Sequence, residues 1–254
     1  MRSEELQLMA ALEGSHWWYR GLRDLLARLL QAPRFRLRPS PAVLDAGCGS
    51  GANLRLLAEL LSPEYLGGFD LDPAAAAISA DMCPAADVYR GDLCAPEVRA
   101  LELDLVLSCD AITAPGIQRA EGGFRRMAEH LRPRGLMILH VPACPWLYSE
   151  HDLAVANCQR LTLSDMAGLF RRLGLEIELL SHRVCLLFPW IVALRLGRLR
   201  RAGGTADAAT SDLRHHPAWL NAALLRTLEV ENQALARGAT LPYGSSIIAV
   251  GRKP

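Results

Sequence analysis

The chain has 254 residues, 51% of them apolar, and a formal net charge of +1. That content supports a sizeable core in one large domain and excludes a disordered chain. The near-neutral charge excludes a strongly basic nucleic-acid binder, so no nucleic-acid partner is expected.

In chain order, Glu4–Gln31 spaces its apolar residues as a helix does (Leu6, Met9, Leu12, then Leu22, Leu25, Leu26, Leu29), and Gly14 divides it in two. The Pro-rich stretch Pro33–Pro41 reads as a linker. Strands and helices then alternate. Strands are predicted over Ala42–Ala46, Tyr65–Asp70, Asp87–Arg90, Leu103–Cys109, Leu136–Val141, Glu176–Ser181 and Ser246–Gly251. Helices are predicted over Ala52–Leu61, Ala74–Ala80 (with Asp72-Pro73 as cap and first position), Gln118–Arg132 and Ser164–Leu173, the last capped by Ser164. Such alternation predicts an α/β, doubly wound, mostly parallel sheet. Arg183–Arg201, a Gly203–Ser211 stretch expected to be a mobile loop, and a Pro217–Arg237 helix interrupt the pattern. They read as an insertion capping one end of the sheet. The expected division is an N-terminal helical lid (1–32), a nucleotide-binding core (40–183), a helical cap (184–240) and a closing strand (241–254).

The seven cysteines form no C-x-x-C pair and scatter over strands and loops. They read as small buried thiols, with no metal site expected. Reduced thiols and the lack of a continuous apolar run in Met1–Arg20 point to a cytoplasmic protein. The longest apolar run, Val184–Leu194, falls short of the roughly 20 residues that span a bilayer. With Arg195, Arg198, Arg200 and Arg201 after it, the segment 184–201 reads either as a substrate-pocket cap or as a weak contact with anionic membrane.

The strongest local signal is Val43-Leu44-Asp45-Ala46-Gly47-Cys48-Gly49-Ser50-Gly51. It leads from a strand into a helix, and its glycines bring a ligand close to bare main chain. A loose dinucleotide fingerprint, Gly47-x-Gly49-x-x-Ala52, also fits. Asp45 helps decide against it, because a carboxylate there repels a pyrophosphate and attracts a cation. Asp70, about 20 residues past the glycines, ends the second strand, where an acid accepts from ribose hydroxyls. Asp92 follows the third strand, where an acid can accept from an adenine amino group.

Together these runs resemble the motifs of the class I S-adenosylmethionine (SAM)-dependent methyltransferases. Residues 43–51 resemble the first motif, Phe69-Asp70-Leu71-Asp72 the ribose motif and Gly91-Asp92-Leu93 the adenine motif. Leu103–Asp110 and Leu131–Gly135 resemble the fourth-strand motif and the turn before strand five. The resemblance covers roughly residues 40–183 and implies a seven-stranded Rossmann-like sheet. It also implies SAM as cofactor, held by Asp45, Gly47, Gly49, Gly51, Asp70, Leu71, Asp92, Leu93 and Asp110.

Further runs are similar to a bacterial subgroup: His16-Trp17-Trp18-Tyr19-Arg20, Pro142–Asp152 and Leu241–Ser246. In that reading Trp17 and Trp18 fold over the sulfonium as a lid; ordinary packing of a helix is the equal alternative. His151 and Asp152 are the candidate base and orienter, His140 a core or rim residue, and Tyr148 and Tyr19 further proton acceptors. Two departures alter the acceptor half. Thr113-Ala114 stands where relatives carry Glu-His, and Asn157-Cys158-Gln159-Arg160-Leu161 where they carry Gly-His-x-Arg-Arg-Tyr. The expectation is methyl transfer to a small, largely apolar molecule. The alternatives are intramolecular cyclisation of SAM releasing methylthioadenosine, or SAM binding without catalysis. The sequence leaves the oligomeric state open.

Overall fold

The computed structural model describes residues 3–155, 157–201 and 216–254. Its strands are β1 (Ala42–Ala46), β2 (Tyr65–Asp70), β3 (Asp87–Arg90), β4 (Leu103–Cys109), β5 (Leu131–Pro142), β6 (Glu176–Arg183) and β7 (Ser246–Arg252). The helices are α1 (Ser3–Leu12), α2 (Trp17–Gln31), α3 (Ala52–Leu61), α4 (Pro73–Met82), α5 (Ile117–Glu129), α6 (Glu150–Ala154), α7 (Leu163–Arg172), α8 (Phe188–Arg201) and α9 (Ala218–Ala236). The strands form one sheet in the order β3-β2-β1-β4-β5-β7-β6. β7 runs antiparallel to both neighbours, and the other pairings are parallel. Strand order reverses between β1 and β4, and the carboxyl ends of the strands at such a reversal are where ligands bind in open α/β sheets.

Both faces of the sheet are covered, which is why β1, β4 and β7 read as apolar nearly throughout. One face packs Phe124 and Met127 of α5 and Leu169 and Phe170 of α7 against Leu139 and Val141. The other packs Leu25, Leu26 and Leu29 of α2 and Leu54 and Leu57 of α3 against Val43, Ile138 and Ile248. α2 is therefore a layer of the core, not a separable part of a lid. Asn232 of α9 fixes it further, its Nδ2 donating to Gly21 O at 2.7 Å and to Asp24 Oδ2 at 2.9 Å. Of the two N-terminal helices, α1 is the one whose described residues take no part in this cluster.

Several boundaries differ from the sequence reading. Pro33–Phe35 is a 3-10 turn whose Phe35 is wholly buried, so this stretch is an anchor and not a plain linker. Thr162, not Ser164, caps α7: Asp165 N donates to Thr162 Oγ1, and Thr162 N donates to Asp165 Oδ2 in a reciprocal capping box. α5 stops at Glu129 and β5 begins at Leu131. The Pro-Arg-Gly turn becomes an irregularity within that strand, with Arg134 at φ 67°. β6 runs on to Arg183, two residues past its expected end. The Gly203–Ser211 stretch lies outside the described residues. No helix among the described residues is long and apolar enough to cross a membrane.

Candidate functional site

At the carboxyl end of β1, Gly47 N and Cys48 N both donate to Phe69 O, at 2.9 and 3.0 Å, and turn the chain toward α3. Gly47 sits at φ 81°, and a Cβ there would lie 2.4 Å from the Ala111 Cβ. No other residue fits that turn. Gly49 sits at φ 56° and donates its N–H to Asp70 Oδ2 at 3.0 Å. Asp70 Oδ1 accepts from Asp72 N, also at 3.0 Å. Each Asp70 oxygen thus holds one backbone donor and keeps a lone pair for another.

Asp45 is wholly buried, and neither carboxylate oxygen has a partner among the described residues. Burial, helped by the Asp70 charge, pushes its carboxyl up to about 7. A buried acid with no partner is costly unless a ligand supplies one. The ammonium of SAM fits that demand, and the two ribose hydroxyls fit Asp70. Leu71 is 59% exposed next to Asp70 and offers an apolar surface. Asp92 is exposed, its Oδ1 held by Cys94 N at 2.8 Å. The Leu93 side chain is buried in the core, which leaves only its main chain at the rim. The structure thus brings Asp45, Gly47, Gly49, Gly51, Asp70, Leu71 and Asp92 to one edge.

The turn between α1 and α2 rests on this loop. Ser50 Oγ donates to Glu13 Oε2 at 2.6 Å, and the Arg23 guanidinium donates to Glu13 O. Burial pushes the Glu13 carboxyl above its ordinary range, although the Ser50 bond and Arg23 act against it. Met9 Cε would lie 3.5 Å from a Cβ on Gly49. Within the aromatic run, Trp18 is the ring set against the strand ends. It lies 6.2 Å from the His140 ring, and the Arg183 guanidinium carbon is 5.5 Å from its centroid. Trp17 packs edge-on against Trp18, and its backbone N–H donates to Asn221 Oδ1 at 2.8 Å. Tyr19 packs edge-on against His16.

On the acceptor side the picture departs from the sequence reading. The His151 side chain lies outside the described set. Asp152 is wholly buried, its carboxylate 2.9 Å from Arg160 Nε and receiving Ser149 N at 2.9 Å. An acid engaged in this way anchors its loop. Asp152→Ala should leave Arg160 buried and unpaired and lower stability by about 3–5 kcal/mol in urea unfolding. Tyr148 likewise serves the loop, its hydroxyl donating to Asn157 O at 2.8 Å. The two departures from the resembled subgroup meet: Thr113 Oγ1 donates to Asn157 Oδ1 at 2.7 Å, and Cys158 N donates to Thr113 O at 2.9 Å.

Nor is this side empty of charge. His140 Nδ1 lies 3.1 Å from both oxygens of Asp110, which sits at φ 56°, an unusual backbone for a non-glycine residue. Arg183 Nη1 donates to His140 Nε2 at 3.4 Å. Asp110 is thus tied to His140, and Arg183 is the residue that the sequence reading missed. Its one signal was the polar Ser181-His182-Arg183 end of an otherwise alternating strand.

Residues 43–135 match the family model described as "Methyltransferase domain". They form a class I SAM-dependent methyltransferase domain. Its cofactor is SAM, and the matched region contains the glycine loop, Asp70, Asp92 and Asp110. No curated protein sequence matches the chain significantly. Solved structures share the fold at low identity. A chain of a Haloferax volcanii complex containing the Trm112 methyltransferase activator superposes with TM-score 0.59 at 18% identity, over 96% of this chain and 92% of that one. The Haemonchus contortus phosphoethanolamine N-methyltransferase 2, solved with phosphomonomethylethanolamine and S-adenosylhomocysteine, gives 0.54 at 18% identity, over 91% and 52%. The [4+2]-cyclase SpnF gives 0.56 at 17% identity, over 91% and 81%. Neighbours this distant share a fold with the methyltransferase domain and do not define its acceptor.

Proposed function

We propose that this chain transfers the methyl group of SAM to a small-molecule acceptor bound over the carboxyl ends of β4 and β5. The observation that carries the reading is the unpartnered buried carboxylate of Asp45 beside Asp70 on the glycine loop. Bound SAM supplies a methyl carbon already activated by the sulfonium. The chain's work is then to bind, orient and exclude water. Asp45 receives the ammonium, Asp70 the ribose hydroxyls, and Leu71 and Asp92 flank the adenine. Trp18 covers the strand ends from above. The test is mass spectrometry after incubation with methyl-deuterated SAM and a pool of candidate acceptors. Label on an acceptor, with S-adenosylhomocysteine released, is expected. Enzyme-dependent methylthioadenosine from SAM alone would overturn methyl transfer in favour of cyclisation.

The Asp45 carboxyl adds a pH dependence. Its neutral form gives the ammonium no counter-charge, so affinity follows the ionised fraction. With a carboxyl near 7, SAM affinity should rise about fivefold from pH 6 to pH 7. Asp45→Asn should bind weakly and flatten that rise. Calorimetry at the two pH values reads both.

Leu186, Trp190 and Leu194 are exposed along the segment 184–201. This favours weak contact with an anionic membrane surface as the second reading of that segment, next to the pocket cap.

A further inference from the structure

Asp110, His140 and Arg183 stand at the carboxyl ends of β4, β5 and β6, on one edge of the sheet. The bonds of His140 set its tautomer: Nδ1–H donates to Asp110, and Nε2 accepts from Arg183 Nη1. That occupies one corner of the guanidinium. Arg183 is wholly buried, and its Nε and Nη2 have no hydrogen-bond partner among the described residues. Glu231 is the strongest charge acting on it, but the Glu231 oxygens already accept from Cys185 N and Leu186 N. Gly21 of α2 permits the packing, since a Cβ there would lie 3.2 Å from Arg183 Nη2 and 2.5 Å from Leu228 Cδ1.

The two unpartnered nitrogens are not arbitrary. Nε–H and the adjacent Nη2–H point the same way and form one edge of the guanidinium. Their spacing matches two oxygens of a carboxylate or a phosphate. A buried cation with a complete, unused fork is costly by itself, and an oxyanion relieves it. We propose that Arg183, oriented by His140 and Asp110, is the receptor for one oxyanion of the methyl acceptor, a carboxylate or a phosphate group. This rests on the methyltransferase reading and deepens it: the anchoring end of the acceptor is anionic. Arg183 is a binding residue, and Asp110 and His140 act through it.

The experiment is calorimetric titration of the full chain, saturated with S-adenosylhomocysteine, with inorganic phosphate and separately with acetate. Saturable binding of one of the two is expected, and which one binds distinguishes phosphate from carboxylate. Arg183→Met should weaken it by about tenfold or more while S-adenosylhomocysteine affinity is retained. Arg183→Lys keeps the charge and loses the fork, so it should also weaken anion binding, by about fivefold. It carries the test if circular dichroism shows that the Met variant does not fold. Binding of S-adenosylhomocysteine with neither anion bound, or equal anion binding by wild type and Arg183→Lys, overturns this inference alone. Failure to bind S-adenosylhomocysteine overturns the methyltransferase reading beneath it.

Discussion

Deleting residues 1–31 should leave a chain that no longer folds, whereas deleting residues 1–12 should leave the fold intact. The longer deletion removes α2, which buries Leu22, Leu25, Leu26, Leu29 and Leu30. At about 1.5–3 kcal/mol for each buried leucine, the loss is about 8–15 kcal/mol. That equals the whole stability of an ordinary domain, about 5–15 kcal/mol. The shorter deletion removes α1, whose Met9 meets the glycine loop but which lies outside the sheet-packed layer. Cooperative unfolding in urea for both deletions would contradict the assignment of α2 to the core. Loss of cooperativity in the longer deletion alone is expected.

Asp70→Ala should weaken SAM binding by about 2–4 kcal/mol, a loss of about 30- to 1,000-fold. The carboxylate oxygens already hold Gly49 N and Asp72 N. The substitution therefore removes the ribose acceptor and also loosens the loop that carries Gly49. A fold-preserving change confined to the binding site should leave circular dichroism unchanged. Wild-type affinity in this variant would remove Asp70 from the site.

Much of this architecture was legible in the sequence, for reasons that can be named. β1, β2 and β4 emerged with their observed bounds because each is a short, largely apolar run closed by Gly or Asp. The glycine loop was legible because its positive-φ turns leave few other residues possible at Gly47, Gly49 and Gly51. Helix termini were harder. Thr162 and Ser164 both look like caps, and only the reciprocal bonds with Asp165 choose between them. The role of α2 was hidden, because an amphipathic stripe shows that a face is buried but not against which partner.

The acceptor side was the least legible part. Charged residues such as Arg183 and Asp152 are usually solvated, so a sequence gives little reason to bury them. Asp152, a candidate orienter in the sequence, is buried as the ion-pair partner of Arg160, a contact the sequence does not show. Arg183 read as the first residue of an insertion capping the sheet and proved to be the buried end of β6. The contact between Thr113 and Asn157, 44 residues apart, is likewise invisible without the fold.

The most direct test of the central claim is a crystal structure of the chain with S-adenosylhomocysteine. The account predicts the ligand's amino group at hydrogen-bond distance from Asp45, directly or through one water, and both ribose hydroxyls on the Asp70 carboxylate. A ligand bound away from the Asp45–Gly51 loop, with the Asp45 carboxylate still unpartnered, would contradict it.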